Sequence, residues 1–245
     1  MIEVLEAKHV TVRYKNKRGV HDISLTLRQG EIFGLVGPNG AGKTTFLKAV
    51  CGLLRLGAGE VKICGQSIHT NYEKAMLHMG CLIESPALYE EFTAHHNLLL
   101  HSRFYNHVDR EQIEAVLDQV GLSRSKSEKV KNFSQGMKQR LGIASALLSK
   151  PKLILLDEPT NGLDVDGVIQ FKELIRSLSL DSQLTILISS HQMFELESLC
   201  HRVGIIYDGE LIGTNETSDI TKMNQTLEQW YIEQIRNQRD DAAYV

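Results

Sequence analysis

Four residues in one short stretch define the first chemistry. Gly37, Gly42, Lys43 and Thr44 stand in the spacing G-x-x-x-x-G-K-[ST], inside L-V-G-P-N-G-A-G-K-T-T over residues 35–45. Glycines at those places let consecutive backbone N–H groups converge on phosphate oxygens, and a helix opening near Gly42 adds its positive end. Lys43 can reach the β- and γ-phosphates of a nucleotide, and the Thr44 hydroxyl can ligate Mg²⁺. An ordinary glycine turn needs neither the lysine nor the threonine. Nucleotide binding is therefore the first functional expectation.

Further residues stand where such a site would need them. Asp157 and Glu158 follow an apolar run, residues 153–156, that suits a buried parallel strand. At the carboxyl end of such a strand Asp157 can hold Mg²⁺ through water, and Glu158 can orient and polarise an attacking water. A solvated acidic turn is the competing reading. His191 ends a second apolar run, residues 184–188, where an imidazole can hydrogen-bond a γ-phosphate or serve structure alone. Ser134 is placed to cap a helix running to Leu148, so that its hydroxyl and the Gly136 N–H form a second phosphate cradle, or simply a capped amphipathic helix. Tyr14 can stack on adenine or pack against a strand end.

The elements that must position these groups follow from hydrophobic period and turn residues. Residues 4–14 and 21–27 alternate as strands around a charged break at 15–18, predicting an antiparallel ribbon ahead of the strand at 32–36. A helix follows over residues 45–54, then short strands near 59–64 and 79–83. Between residues 85 and 150 the pattern turns helical: Thr93 and Asp109 are candidate caps, and Gly121 ends the second helix. Four histidines there (His95, His96, His101, His107) do not place three on one helix face, which disfavours a metal site. After Pro151 come strand, turn (161–164), helix (165–178), strand, helix, strand and a short hairpin. Beyond Asn224 the chain reads as a polar tail, with one amphipathic piece at 227–235 and a loose acidic end.

Composition closes off several function classes. Among 245 residues, 42% are hydrophobic and 23% charged, ordinary for a globular chain, and a net charge of −3 with no basic block disfavours nucleic acid. The four cysteines (Cys51, Cys64, Cys81, Cys200) lack C-x-x-C or zinc-type spacing and read as reduced structural thiols. No window is long and apolar enough to span a membrane, and M-I-E-V-L-E-A-K lacks the layout of a signal peptide. Contact with a membrane is thus expected only through partners.

Taken together, these motifs resemble the nucleotide-binding subunit of ABC transporters, over about residues 4–213. In the family's order they are the aromatic Tyr14, Walker A at 37–45, a Q-loop region at Glu84, the signature at 134–139, Walker B at 153–157, Glu158, a D-loop at 161–164 and the switch His191. The resemblance implies an α/β, RecA-like P-loop NTPase core with an N-terminal antiparallel ribbon and an inserted helical subdomain. One cassette would occupy residues 1–223, with the insert at about 85–150, and the tail 224–245. It implies ATP and Mg²⁺ as cofactors, and a nucleotide site of Tyr14, Gly37, Pro38, Asn39, Gly40, Ala41, Gly42, Lys43, Thr44 and Thr45. The facing chain's Ser134, Gln135 and Gly136 would complete it. Thr44, Glu84 and Asp157 would hold the metal. Glu158, His191 and Glu84 would serve catalysis, and Asn161, Gly162, Leu163 and Asp164 would meet the partner. The assembly implied is a head-to-tail homodimer closed by two ATP, carried by permease subunits on the cytoplasmic face of a bacterial membrane.

Two departures from the family pattern refine this. The usual L-S-G-G-Q reads Phe133-Ser134-Gln135-Gly136-Met137, keeping the serine and second glycine. Glu84 replaces the usual glutamine, bringing a full charge and losing an amide donor, which is expected to strengthen metal contact and alter coupling. With F-S-x-G-M-K-Q-R-L-G-I-A and E-P-T-N-G-L-D-x-D-G, this resembles the bacitracin-resistance branch and its lantibiotic-immunity transporters. Competing readings are a bacitracin-type or multidrug efflux ATPase, a soluble ABC ATPase working on ribosomes or DNA, and a catalytically weak regulatory subunit. The single cassette and absent basic surplus disfavour the second, and Lys43, Asp157, Glu158 and His191 disfavour the third.

Overall fold

In the computed structural model, which describes residues 2–15, 18–182 and 184–243, two sheets enclose one helix. The chain begins with β1 (Glu3–Arg13) and β2 (Gly19–Arg28), then β3 (Ile32–Val36), α1 (Lys43–Val50), β4 (Ala58–Ile63), β5 (Gln66–Ser67), α2 (Tyr72–Met76) and β6 (Met79–Leu82). A helical insert follows: α3 (Ala94–Ser102), α4 (Arg110–Gln119) and α5 (Gln135–Leu147). The chain then returns through β7 (Leu153–Asp157), α6 (Val165–Ser182), β8 (Thr185–Ser190), α7 (Met193–Glu197), β9 (Arg202–Tyr207) and β10 (Glu210–Glu216), ending in α8 (Thr217–Lys222) and α9 (Leu227–Ala243).

The expected N-terminal ribbon is the centre of a wider sheet, ordered β2-β1-β4-β5 and antiparallel throughout. The break at 15–18 includes Asn16 and Lys17, which lie outside the described residues. The second sheet runs β10-β9-β3-β8-β7-β6, parallel except for β10. Parallel strands buried on both faces need apolar residues at every position, and the alternation shows it. Ile32 and Val36 belong to one core and Phe33 and Leu35 to the other, as Ile154 and Leu156 are divided from Leu153 and Leu155. The core of Phe33 and Leu35 also holds Phe46, Leu47 and Val50, so α1 is clamped between the sheets. The P-loop helix therefore has little freedom to move alone.

The helical insert is capped as its sequence requires. Thr93 Oγ1 accepts from His96 N–H at 3.1 Å and Asp109 Oδ1 from Gln112 N–H at 2.8 Å. Leu98, Ile113, Val116 and Leu117 share a core with Leu141 and Ile143 of α5, which fixes the start of α5 relative to the parallel sheet. The stretch beyond Asn224 departs from a loose tail. It forms α9, with Leu227 and Trp230 buried in the same core and the Leu227 N–H bonded to Glu197 Oε1 at 3.1 Å. Two apolar anchors suffice to dock a helix whose remaining residues are polar.

Candidate functional site

The parallel strands bring their carboxyl ends to one edge, where Val36 pairs with Ser190 and Asp157 with Ser189. That register puts the turn after β3, the acids after β7 and the histidine after β8 side by side, the ligand edge of such sheets. The turn itself demands glycine. Gly40 and Gly42 have φ of +83° and +111°, and a Cβ on Gly37 would lie 2.2 Å from the Ile206 carbonyl oxygen. Any side chain at residue 37 would push the loop off β9.

Lys43 opens α1 and turns back into the loop, 5% exposed, donating to the Gly37 carbonyl at 2.7 Å and lying 3.0 Å from Glu158 Oε1. The other carboxylate oxygen of Glu158 is 2.7 Å from His191 Nδ1. Glu158 is held in the left-handed region, φ +48°, a conformation costing a non-glycine residue about 1–3 kcal/mol. Its N–H donates to both the carbonyl and the hydroxyl of Ser189, which over-determines the geometry. The lysine on α1 and the imidazole after β8 thus meet on the two oxygens of the carboxylate that follows β7.

Beside them, Thr44 Oγ1 donates to Asp157 Oδ2 at 2.8 Å, and Ser189 Oγ to Asp157 Oδ1 at 2.6 Å. The Thr44 hydroxyl and Asp157 carboxylate are hard oxygen donors in contact, and no group of three His, Cys, Asp or Glu side chains able to hold a metal converges among the described residues. One hydroxyl and one carboxylate with the remaining positions left to water and phosphate is the donor set Mg²⁺ takes with nucleotides. Ser189 is the residue that sequence reasoning passed over. Its signal is only its place, one residue before the strand end on β8, and its role depends on the register with β7.

A cavity of about 420 Å³ gathers this half of the site, lined among others by Tyr14, Asn39, Gly40, Lys43, Thr44, Glu158 and His191. Tyr14 is 44% exposed at its rim. Ser134, Gln135 and Gly136 do not reach it. They line a separate cavity of about 490 Å³ with Gly162, Leu163 and Asp164, and no residue lines both. Ser134 caps α5 as expected, accepting from Met137 N–H at 3.2 Å, and Asp164 Oδ1 accepts from Gly167 N–H at 2.8 Å at the head of α6. The turn 161–164 straddles the two, since Asn161 lines the first cavity.

Glu84 is the site residue that the fold sets apart. It is 67% exposed, lines neither cavity, and lies 2.6 Å from Lys48 Nζ on α1. The Lys48 ammonium holds the Glu84 carboxyl below the usual carboxylate range, first through their hydrogen bond, and is itself raised by it. Lys48, 36 residues away, carries no sequence signal that would mark it as this partner.

Comparison with known proteins gives the family. The family described as ABC transporter matches residues 20–161. The chain is 38% identical over 92% of its length to the bacitracin transport ATP-binding protein BcrA of Bacillus licheniformis, covering 74% of that protein. It is 34% identical over 95% of its length to the lantibiotic transport ATP-binding protein SrtF of Streptococcus pyogenes, covering 97% of it. Among solved structures, an ATP-binding subunit of an ABC transporter superposes with a TM-score of 0.82 at 28% identity, covering 95% of this chain and 99% of that one.

Proposed function

Since the chain belongs to the ABC transporter family as an ATP-binding subunit, we propose that it is the Mg²⁺-dependent ATPase of an exporter that clears an antimicrobial peptide from the membrane, as in lantibiotic self-immunity. The observation that carries the mechanistic part is the separation of the two phosphate-facing helix ends into cavities sharing no residue. Neither encloses a triphosphate alone. A second chain, head to tail, sets its Ser134–Gly136 turn against the γ-phosphate held by Lys43, so that two helix N-termini face the same charge.

In this reading Tyr14 stacks on the base, the 37–42 backbone and Lys43 hold the β- and γ-phosphates, and Thr44 and Asp157 hold the metal. Bound Mg²⁺ supplies charge neutralisation across the phosphates. Glu158 accepts the hydrogen bond of the attacking water, whose oxygen adds to the γ-phosphorus as the bond to the β-bridging oxygen breaks. His191 keeps the Glu158 carboxylate oriented and reaches the γ-phosphate. Asn161 to Asp164 transmit closure to the partner chain, and Glu84 senses the permease side. No helix among the described residues is long and apolar enough to cross a membrane, so attachment to the cytoplasmic face is assigned to permease subunits.

The similarity to SrtF supports the lantibiotic substrate class, and that to BcrA supports a bacitracin-type alternative. Expression with candidate permeases in a sensitive strain decides between them. Protection against a lantibiotic that disappears with Glu158→Gln is expected; protection against bacitracin alone would select the alternative, and protection against neither would reject peptide export.

A further inference from the structure

Two buried polar groups meet just behind the cluster around Glu158. Thr160 is 5% exposed and Glu195 on α7 is 7% exposed, and the Thr160 hydroxyl donates to Glu195 Oε2 at 2.5 Å. A hydroxyl bonded to a carboxylate at this separation is among the stronger hydrogen bonds. Neither residue lines the cavity of Lys43 or that of Ser134. The pair therefore acts on those cavities only through the residues it holds.

Those residues belong to both cavities. Asn161, next in the chain, lines the cavity of Lys43, and its N–H donates to the Glu158 carbonyl at 3.1 Å. Leu163 lines the cavity of Ser134, and its N–H donates to the Thr160 carbonyl at 3.1 Å. At the other end, Glu195 lies four residues after His191, whose ring meets Glu158 at 2.7 Å. Two rungs thus join the segment 158–163 to the segment 191–195: the exposed one is Glu158 with His191, and the buried one is Thr160 with Glu195. Helix α7 is itself anchored. Lys172 Nζ and Arg176 Nη2 of α6 bind the hydroxyl and carbonyl of its C-cap Ser198 at 3.0 and 2.7 Å, and Leu196 is buried in the core. Glu195 is the fixed post of this rung, and the turn that begins at Thr160 is the part it holds.

We propose that Glu195 is a positioning residue for ATP hydrolysis: through the Thr160 hydroxyl it sets the turn at 161–163 against His191, so that the residues facing the two cavities keep one fixed spacing. This rests on the function proposed above, in which the cavity of Lys43 holds the nucleotide and that of Ser134 faces a partner chain. Apolar side chains of like volume would pack α7 against this segment about as stably. What the hydrogen-bonded pair adds is a single distance and direction, and catalysis depends on both. Glu195 touches no reacting atom; its effect reaches the γ-phosphate through Asn161 and Glu158.

Full-length protein and three variants test this by steady-state ATP hydrolysis, thermal unfolding and amide hydrogen exchange. Thr160→Val keeps the volume and removes the hydroxyl. It is expected to lower kcat about tenfold, less than the roughly hundredfold a full 1 Å misplacement can cost, with KM for ATP within about twofold. Exchange at the Asn161 and Leu163 N–H groups is expected to rise at least about tenfold. Thr160→Ser restores the hydroxyl and is expected to bring kcat back to within about twofold of the unaltered chain. Because Thr160→Val strands a buried carboxylate, a second variant combines it with Glu195→Met and makes both partners apolar. Its unfolding midpoint is expected to return toward that of the unaltered protein while kcat stays down about tenfold. A kcat that recovers with the midpoint, a loss confined to KM, or unchanged exchange at residues 161 and 163 in both valine variants overturns the proposal. If the unaltered chain hydrolyses no ATP, the ATPase reading falls on its own, and the exchange result then upholds or overturns the hold of Glu195 on the turn.

Discussion

The N-termini of α1 and α5, the two helix ends proposed to face phosphate, are built very differently. At α1 the glycines at residues 37, 40 and 42 are forced by close approach or left-handed backbone, and Lys43, Thr44, Asp157, Glu158, Ser189 and His191 are joined by direct polar contacts. At α5 the side-chain cap comes from Ser134 alone, and a Cβ added at Gly136 would meet only Leu163 at 3.8 Å and the Ser134 hydroxyl at 4.0 Å. Chemistry needs groups held within fractions of an ångström, which a cross-linked cluster provides. A surface that only completes a pocket needs exposed donors and freedom to separate. In the proposed function the first end serves as half of a catalytic centre, and the second as a contact offered to another chain.

The largest test of that contrast is Glu158→Gln. If Glu158 handles the attacking water, hydrolysis should fall about 10²–10⁴-fold while ATP affinity stays nearly unchanged, and ATP should trap a dimer visible by light scattering. Retained turnover would move the catalytic base elsewhere. Ser189→Ala should come next, because it strips one of the two side-chain bonds holding a carboxylate that is 3% exposed. Leaving that acceptor unsatisfied costs about 1–3 kcal/mol, seen as a lower unfolding midpoint together with weaker hydrolysis. An unchanged midpoint would show that Asp157 is not pre-set by Ser189.

Ser134→Ala should lower stability by only about 1 kcal/mol, the worth of a helix cap, and it offers a sharper readout in mixtures. Head to tail, an Ser134→Ala chain paired with a Glu158→Gln chain puts both defects in one site and leaves the other intact. The mixture is expected to hydrolyse ATP faster than either protein alone. No gain on mixing would contradict the shared-site arrangement.

How much of this was legible follows from where each signal lives. The P-loop, the acids after β7 and the histidine after β8 are local: an apolar run, a turn residue and a polar group adjacent in sequence fix them, and parallel pairing then brings the strand ends together. Thr93, Asp109 and Ser134 are equally local, since a cap bonds an N–H three residues on. What failed was non-local or sparse. The ribbon gained β4 and β5 because β1 pairs with β4 across the intervening α1, and α9 runs past the amphipathic piece at 227–235 because Leu227 and Trp230 are its buried anchors in an otherwise polar stretch.

Lys48 with Glu84 is the clearest case of a non-local pair, and it yields the smallest expected effect. The charge at residue 84 would bear on metal binding if it stood free beside Thr44 and Asp157, but Lys48 engages it at 2.6 Å. Because Lys48 depresses the Glu84 carboxyl, the pair is intact above the ordinary glutamate range and is lost as pH falls through the lowered value; exposure and salt weaken it further. Glu84→Gln is therefore expected to leave the unfolding midpoint unchanged at 0.15 M salt (about an 8 Å screening length). The Mg²⁺ concentration for half-maximal hydrolysis should shift by less than about twofold, since neutralised charge adds little to a metal site. A larger rise in that concentration would show that closing on nucleotide pulls Glu84 off Lys48 and onto the metal, making the P-loop half of the site depend on a residue that the fold holds outside it.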